Sequence, residues 1–102
     1  MPKKKEQTAE KVLKLAKDII VAKSDSFRDK LIKAVSQDTK NLVLDFSKVV
    51  TIDSIGLGII INAYNTLKKG GSTLTLINVS DELYSFFTVL RLDQAFEIRS
   101  RQ

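Results

Sequence analysis

The chain has 102 residues, 43% of them hydrophobic and 28% charged, the composition of one folded domain with room for a single core. It contains no Cys and no His, which removes disulfides, the thiol nucleophile, the imidazole general base and the usual soft zinc ligands. The formal net charge of +5 raises a polyanion as partner. Much of the excess gathers in Lys3, Lys4, Lys5, Arg99 and Arg101 without interleaved aromatics to stack on bases, so a solvated charge distribution with no direct nucleic-acid binding is expected.

Residues 1–10, MPKKKEQTAE, read as a basic N-terminal tail ahead of a domain over 11–102. No apolar stretch follows this tail as in a secretory signal, and no window approaches the roughly 18 apolar residues of a membrane span, so a cytoplasmic protein is expected. KVLKL (11–15) and IIVA (19–22) have the apolar bias of strands, and the intervening AKD is short enough for a hairpin. From Ser24, a capping type, Phe27, Leu31, Ile32, Ala34 and Val35 recur on one helical face opposite Arg28, Asp29, Lys30 and Lys33.

After the polar break SQDTKN comes LVLDF (42–46), a dense apolar run of the kind found in strands buried on both faces. A second helix is expected from Ser54 to Lys69, stopped by Gly70 and Gly71. TLTLIN (73–78) reads as a strand. VSDELYSFFTVLRL (79–92) reads as a third helix, capped by Ser80 with Leu83, Phe86, Phe87 and Leu90 on its apolar side, and AFEIR as a closing strand. The alternation specifies an α/β domain with three to four helices and a sheet of four to five strands. Its central strands are parallel, and the leading hairpin makes the sheet mixed. The expected core is Leu42, Leu44, Phe46, Ile60, Ile61, Leu74, Leu76 and Leu90.

TIDSIGLG (51–58) lies where this pattern places the carboxyl end of a central strand and the start of a helix, the usual position of α/β functional sites. Asp53 or Ser54 there can cap the helix, which by itself accounts for a short polar residue. No Lys follows the second glycine and no GxGxxG spacing exists, so a phosphate loop is excluded. GxSxG is also missing, and without histidine Ser54 has no base to activate it, so no catalytic site, cofactor or metal is expected. At 100° per residue, Leu57, Ile60, Ile61, Tyr64 and Leu67 make a core face, whereas Ile55 and Ile59 share the opposite side with Asn62 and Thr66. That second patch is either covered, by the loop at 48–52 or by the third helix, or is a docking surface for another protein.

The run NLVLDFSKVVTIDSIGLGIIINAYNTLKKGGSTLTLINVSDELYSFFTVLRLDQAFEI resembles the STAS family, the sulfate transporter and anti-sigma factor antagonist domain, with the likeness extending over about residues 11–98. The carrying motifs are LVLDFS, the DSxGLG signature at Asp53 to Gly58, the KKGG turn and the late LRLDQAFEI. The resemblance implies a STAS domain over 11–102 and a partner-switching regulator. Such a regulator binds an anti-sigma factor or related serine kinase and is inactivated by phosphorylation on the residue after the DS pair. Here that residue is Ile55, and Ser54 matches the serine before it. The expectation is therefore a non-catalytic protein-binding regulator docking through Asp53, Ser54, Ile55, Gly56, Ile59 and Asn62. Ser54 is the remaining phosphorylation candidate, although a capping role would engage its hydroxyl with backbone N–H groups. The competing expectation is a small STAS subunit of a larger assembly such as a lipid ABC transporter.

Overall fold

The computed structural model describes residues 10–15, 18–19, 24–35 and 40–101. Four parallel strands form the main sheet in the order β1-β3-β5-β6: β1 is Glu10–Lys14, β3 Asn41–Asp45, β5 Thr73–Val79 and β6 Glu97–Ser100. A separate two-stranded parallel pair joins β2, Asp18–Ile19, to β4, Thr51–Ile52. Among the described residues three α-helices connect the strands: α1 is Ser24–Val35, α2 Ser54–Lys69 and α3 Asp81–Val89, with a 3-10 turn at Leu92–Gln94 before β6. The basic tail expected over 1–10 lies outside the described residues except for Glu10, which already belongs to β1. No helix among the described residues is long and apolar enough to cross a membrane.

The α/β class follows from the period of the apolar residues. Strand pleating sends alternate side chains to opposite faces, so Leu42 and Leu44 of β3 pair in register with Leu74 and Leu76 of β5 and line one face, with Leu13 of β1 and Ile98 of β6 beside them. On the other face Val43, Asp45 and Thr75 are buried as well, which makes β3 the most enclosed strand. Phe46, directly after it, is fully buried and meets Phe87 of α3 edge-to-face with ring centroids 5.9 Å apart. The second helix ends as its glycines imply. Gly70 and Ser72 N–H groups both return to the Leu67 carbonyl, and Gly71 takes φ 80°, a left-handed conformation that a side chain would strain.

Among the described residues the expected hairpin does not form. β1 runs parallel to β3, with the Leu15 N–H donating to the Asp45 carbonyl, and β2 runs parallel to β4, so the sheet is parallel rather than mixed. The short AKD spacing reported only local geometry, whereas pairing β1 with the buried β3 places Leu13 and Leu15 on the common core. Residues 20–22 of the second expected strand lie outside the described residues.

Two expected core positions are also corrected. Leu90 is 44% exposed because α3 stops at Val89 and Arg91 turns the chain away with φ 61°, leaving the core to Phe87. Ile61 is half-buried, since the inward arc of α2 is centred on Gly56, Ile60, Ala63 and Leu67. Leu42, Leu44, Phe46, Ile60, Leu74 and Leu76 are buried as expected. Ile60→Ala is predicted to cost about 2–5 kcal/mol by leaving a cavity, whereas Leu90→Ala stays within about 1 kcal/mol. Urea midpoints of the two variants check this, and equal shifts would contradict the assignment.

Candidate functional site

The chain leaves β3 through a tight turn in which the Val49 N–H donates to the Phe46 carbonyl at 3.0 Å. Val49 is buried and Val50 is 62% exposed, after which β4 and Asp53 bring the chain to the start of α2. Asp53 is the N-cap: it is extended, at φ −107° and ψ −177°, and its Oδ1 accepts from the Gly56 N–H at 2.9 Å. Its carbonyl accepts from the Leu57 N–H, the first bond of the helical ladder. The sequence left the cap open between two residues, and the geometry assigns it to Asp53. Ser54 is the first helical residue and is exposed, so engagement as a cap does not apply to its hydroxyl.

The six residues expected to meet a partner do not share one surface. Ser54 and Ile55 are exposed, Ile55 by 44%, and Asp53 is half-buried beside them. Gly56 is buried and contributes its N–H to the cap. Ile59 belongs to the core at 6% exposure, because α1 packs along this side of α2. The helix that covers it is thus α1, whereas the sequence offered only the 48–52 loop or the third helix. Asn62 is exposed and lines a groove of about 200 Å³ between α1 and α2, together with Arg28, Ile32, Val35, Ile59 and Thr66. Of the six, Asp53, Ser54 and Ile55 are left together as one exposed to half-buried edge at the start of α2. Exposed Val50, four residues before Ser54, is a further apolar candidate that sequence periodicity missed because it lies in no regular element.

A buried carboxylate anchors the root of this edge. Asp45 closes β3 at 8% exposure, and its Oδ1 accepts from the Ser47 N–H at 2.9 Å and from the Asn78 side-chain amide at 3.0 Å. Burial alone would raise its pKa, but the Asn78 amide, the Ser47 N–H and hydroxyl and the charge of Lys14 together hold it below the usual value of 3.8. The sequence placed Asp45 within the dense run LVLDF and the motif LVLDFS but gave it no role of its own. Among the described residues no group of three or more His, Cys, Asp or Glu side chains could hold a metal ion.

A group whose folded pKa is depressed stabilises the fold above its unfolded pKa and loses that contribution as pH falls through the folded value. Wild-type protein is therefore predicted to lose stability as pH drops from neutrality to below 3.8, and Asp45→Asn to lose less over the same interval. Denaturation midpoints at both pH values test this. Parallel losses in the two proteins would show that Asp45 does not carry the acid limb.

Comparison with known proteins agrees with this architecture. The family model described as "STAS domain" matches residues 1–101. An anti-sigma-B factor antagonist of Listeria monocytogenes is 34% identical over 59 residues, which is 58% of this chain and 52% of the Listeria protein, so the match spans about half the length of that relative. The anti-sigma-B factor antagonist of Bacillus subtilis is 29% identical over 87 residues, covering 85% of this chain and 79% of its own. Among solved structures, a sulfate transporter family protein from Wolinella succinogenes superposes with a TM-score of 0.76 at 19% identity, over 91% of this chain and 78% of the other. At that identity the last likeness concerns the fold alone.

Proposed function

The chain belongs to the STAS domain family, and from that premise we propose that it is a non-catalytic protein-binding regulator of the anti-sigma factor antagonist type. Its partner in this reading is an anti-sigma factor or related serine kinase, docking on the amino end of α2. The observation that carries the reading is Ile55: a branched apolar side chain, 44% exposed, on the first turn of α2 next to the Asp53 cap. Exposed apolar groups bordered by polar ones suit desolvation by a partner. Relatives named as anti-sigma-B factor antagonists support the same class of function.

The regulatory logic follows from position 55. Phosphate at a helix N-terminus meets free N–H groups and the positive end of the helix dipole, so it leaves the fold intact. Its effect falls on the partner, which must desolvate nearly two negative charges or supply Arg or Lys to pair them. Ile55 has no hydroxyl and cannot carry that charge. The protein therefore stays binding-competent with no phosphate control at this residue. Ser54 is exposed and chemically able to accept phosphate, but in the proposed reading it is not the switch.

Ile55→Glu is predicted to abolish the complex while leaving thermal stability within about 1 kcal/mol, because the site is exposed. Tagged wild-type and variant chains are used to capture partners from extracts of the protein's own cells, with identification by mass spectrometry. A captured serine kinase supports the reading, whereas capture of ABC transporter subunits would replace it with a role in that assembly. Undiminished binding by Ile55→Glu would remove this helix end as the docking surface. Incubation with the captured kinase and ATP should leave the intact mass unchanged, and stoichiometric phosphate on Ser54 would overturn the absence of a switch.

A further inference from the structure

The carboxyl ends of β3 and β5 are tied together by the side chain of Arg101, which directly follows β6. The Arg101 guanidinium donates through Nη2 to the Phe46 carbonyl at 2.8 Å and to the Ser47 carbonyl at 3.1 Å, and through Nε to the Asn78 carbonyl at 3.1 Å. Its own backbone N–H donates to the Val79 carbonyl at 2.7 Å. These acceptors belong to separate segments: Phe46 and Ser47 open the turn that leads to α2, and Asn78 and Val79 close β5. The planar fork of Arg suits such a junction because its donors point in fixed, divergent directions, whereas the ammonium of Lys is a single point charge.

The acceptors are themselves held for this purpose. Asn78 is one of two non-glycine residues with positive φ among the described residues, at 57°, and it sits where the β5–β6 register shifts between Leu76 and Val79. In that left-handed conformation its side-chain amide reaches Asp45 while its carbonyl meets Arg101. Asp45 in turn accepts from the Ser47 N–H. The Phe46–Ser47 segment is thus gripped from both sides, its carbonyls by Arg101 and its Ser47 N–H by Asp45. Since this segment is the root of the connection to Val50, Asp53 and Ile55, its geometry sets where those residues stand.

We propose that Arg101 is a positioning residue for the docking edge: by clasping the Phe46 and Ser47 carbonyls to the end of β5, it fixes the turn that presents residues 50–55 to a protein partner. The claim about the turn stands on geometry alone, and the claim about affinity rests on the docking reading proposed above.

Amide hydrogen exchange by NMR is compared for wild type, Arg101→Ala, Arg101→Lys and Arg99→Ala, the last removing an exposed ion pair with Glu97 on the same strand. Arg101→Ala is expected to speed exchange by about tenfold at Ser47 and Val49, whose amides are the hydrogen-bonded ones of this turn, the change that loss of a typical net hydrogen bond permits. Amides inside β3 and α2 keep their rates, Arg101→Lys falls between, and Arg99→Ala matches wild type. Because Arg101→Lys keeps the charge and the packing of the stem, it reports on the clasp even if Arg101→Ala fails to fold. Affinity for the captured partner, measured where every variant is fully folded, should fall in the same order. Unchanged exchange at Ser47 and Val49, or a uniform rise across the whole chain, would overturn the clasp. Faster local exchange with unchanged affinity would overturn positioning, provided Ile55→Glu still weakens the complex. If Ile55→Glu also leaves affinity unchanged, the docking reading fails while the local clasp stands on its exchange data.

Discussion

The rest of the structure depends on how the chain gets out of β3. Every residue from Leu42 to Phe46 is buried, with parallel neighbours on both edges, so the backbone emerges from the most water-poor part of the molecule into a turn. Burial ends abruptly at this exit: Phe46 is fully buried, so its peptide groups need partners within the protein, whereas Ser47 and Lys48 are exposed. The fold supplies replacements from distant segments. The Phe46 N–H goes to the Ile77 carbonyl, the Ser47 N–H to Asp45, and the Phe46 and Ser47 carbonyls to Arg101. Asp45 is kept ionised by the same donors that it serves.

This exit determines what lies beyond it. Val49 is drawn into the core and Val50 is turned out, β4 takes a partner in β2, and Asp53 caps α2 so that Ser54 and Ile55 start the helix in solvent. The cap and the dipole make this helix end tolerant of negative charge, and the apolar side chain at 55 makes it suited to a protein contact. Both properties come from the backbone arrangement rather than from a reactive group. In the proposed function, the same scaffold serves as a switched or an unswitched docking edge according to whether residue 55 carries a hydroxyl.

Local patterns in the sequence were sufficient for the three helices, the central strands and the start of the candidate site, because caps, glycine stops and apolar periods act over a few residues. Long-range pairing was not legible. A three-residue spacing suggested a hairpin, while the buried edge of β3 claimed β1 as a parallel neighbour. Ile59 looked exposed on a helical wheel of α2 alone, and only the placement of α1 shows that this side is covered. Asn78 lies 33 residues from Asp45, and Arg101 lies 55 and 54 residues from the Phe46 and Ser47 carbonyls, and nothing in the chain order announces that they meet. The family resemblance conveyed the fold but not the identity of the residue at 55, which had to be read from this chain.

In the proposed function the turn after β3 and the first residues of α2 form one docking edge. Amide hydrogen exchange across the wild-type chain, with and without the captured partner bound, locates the contact. Added protection is expected to concentrate at residues 50–56, with the groove between α1 and α2 unaffected. Protection confined to that groove, around Arg28, Ile32 and Asn62, with no change at residues 50–56, would contradict it.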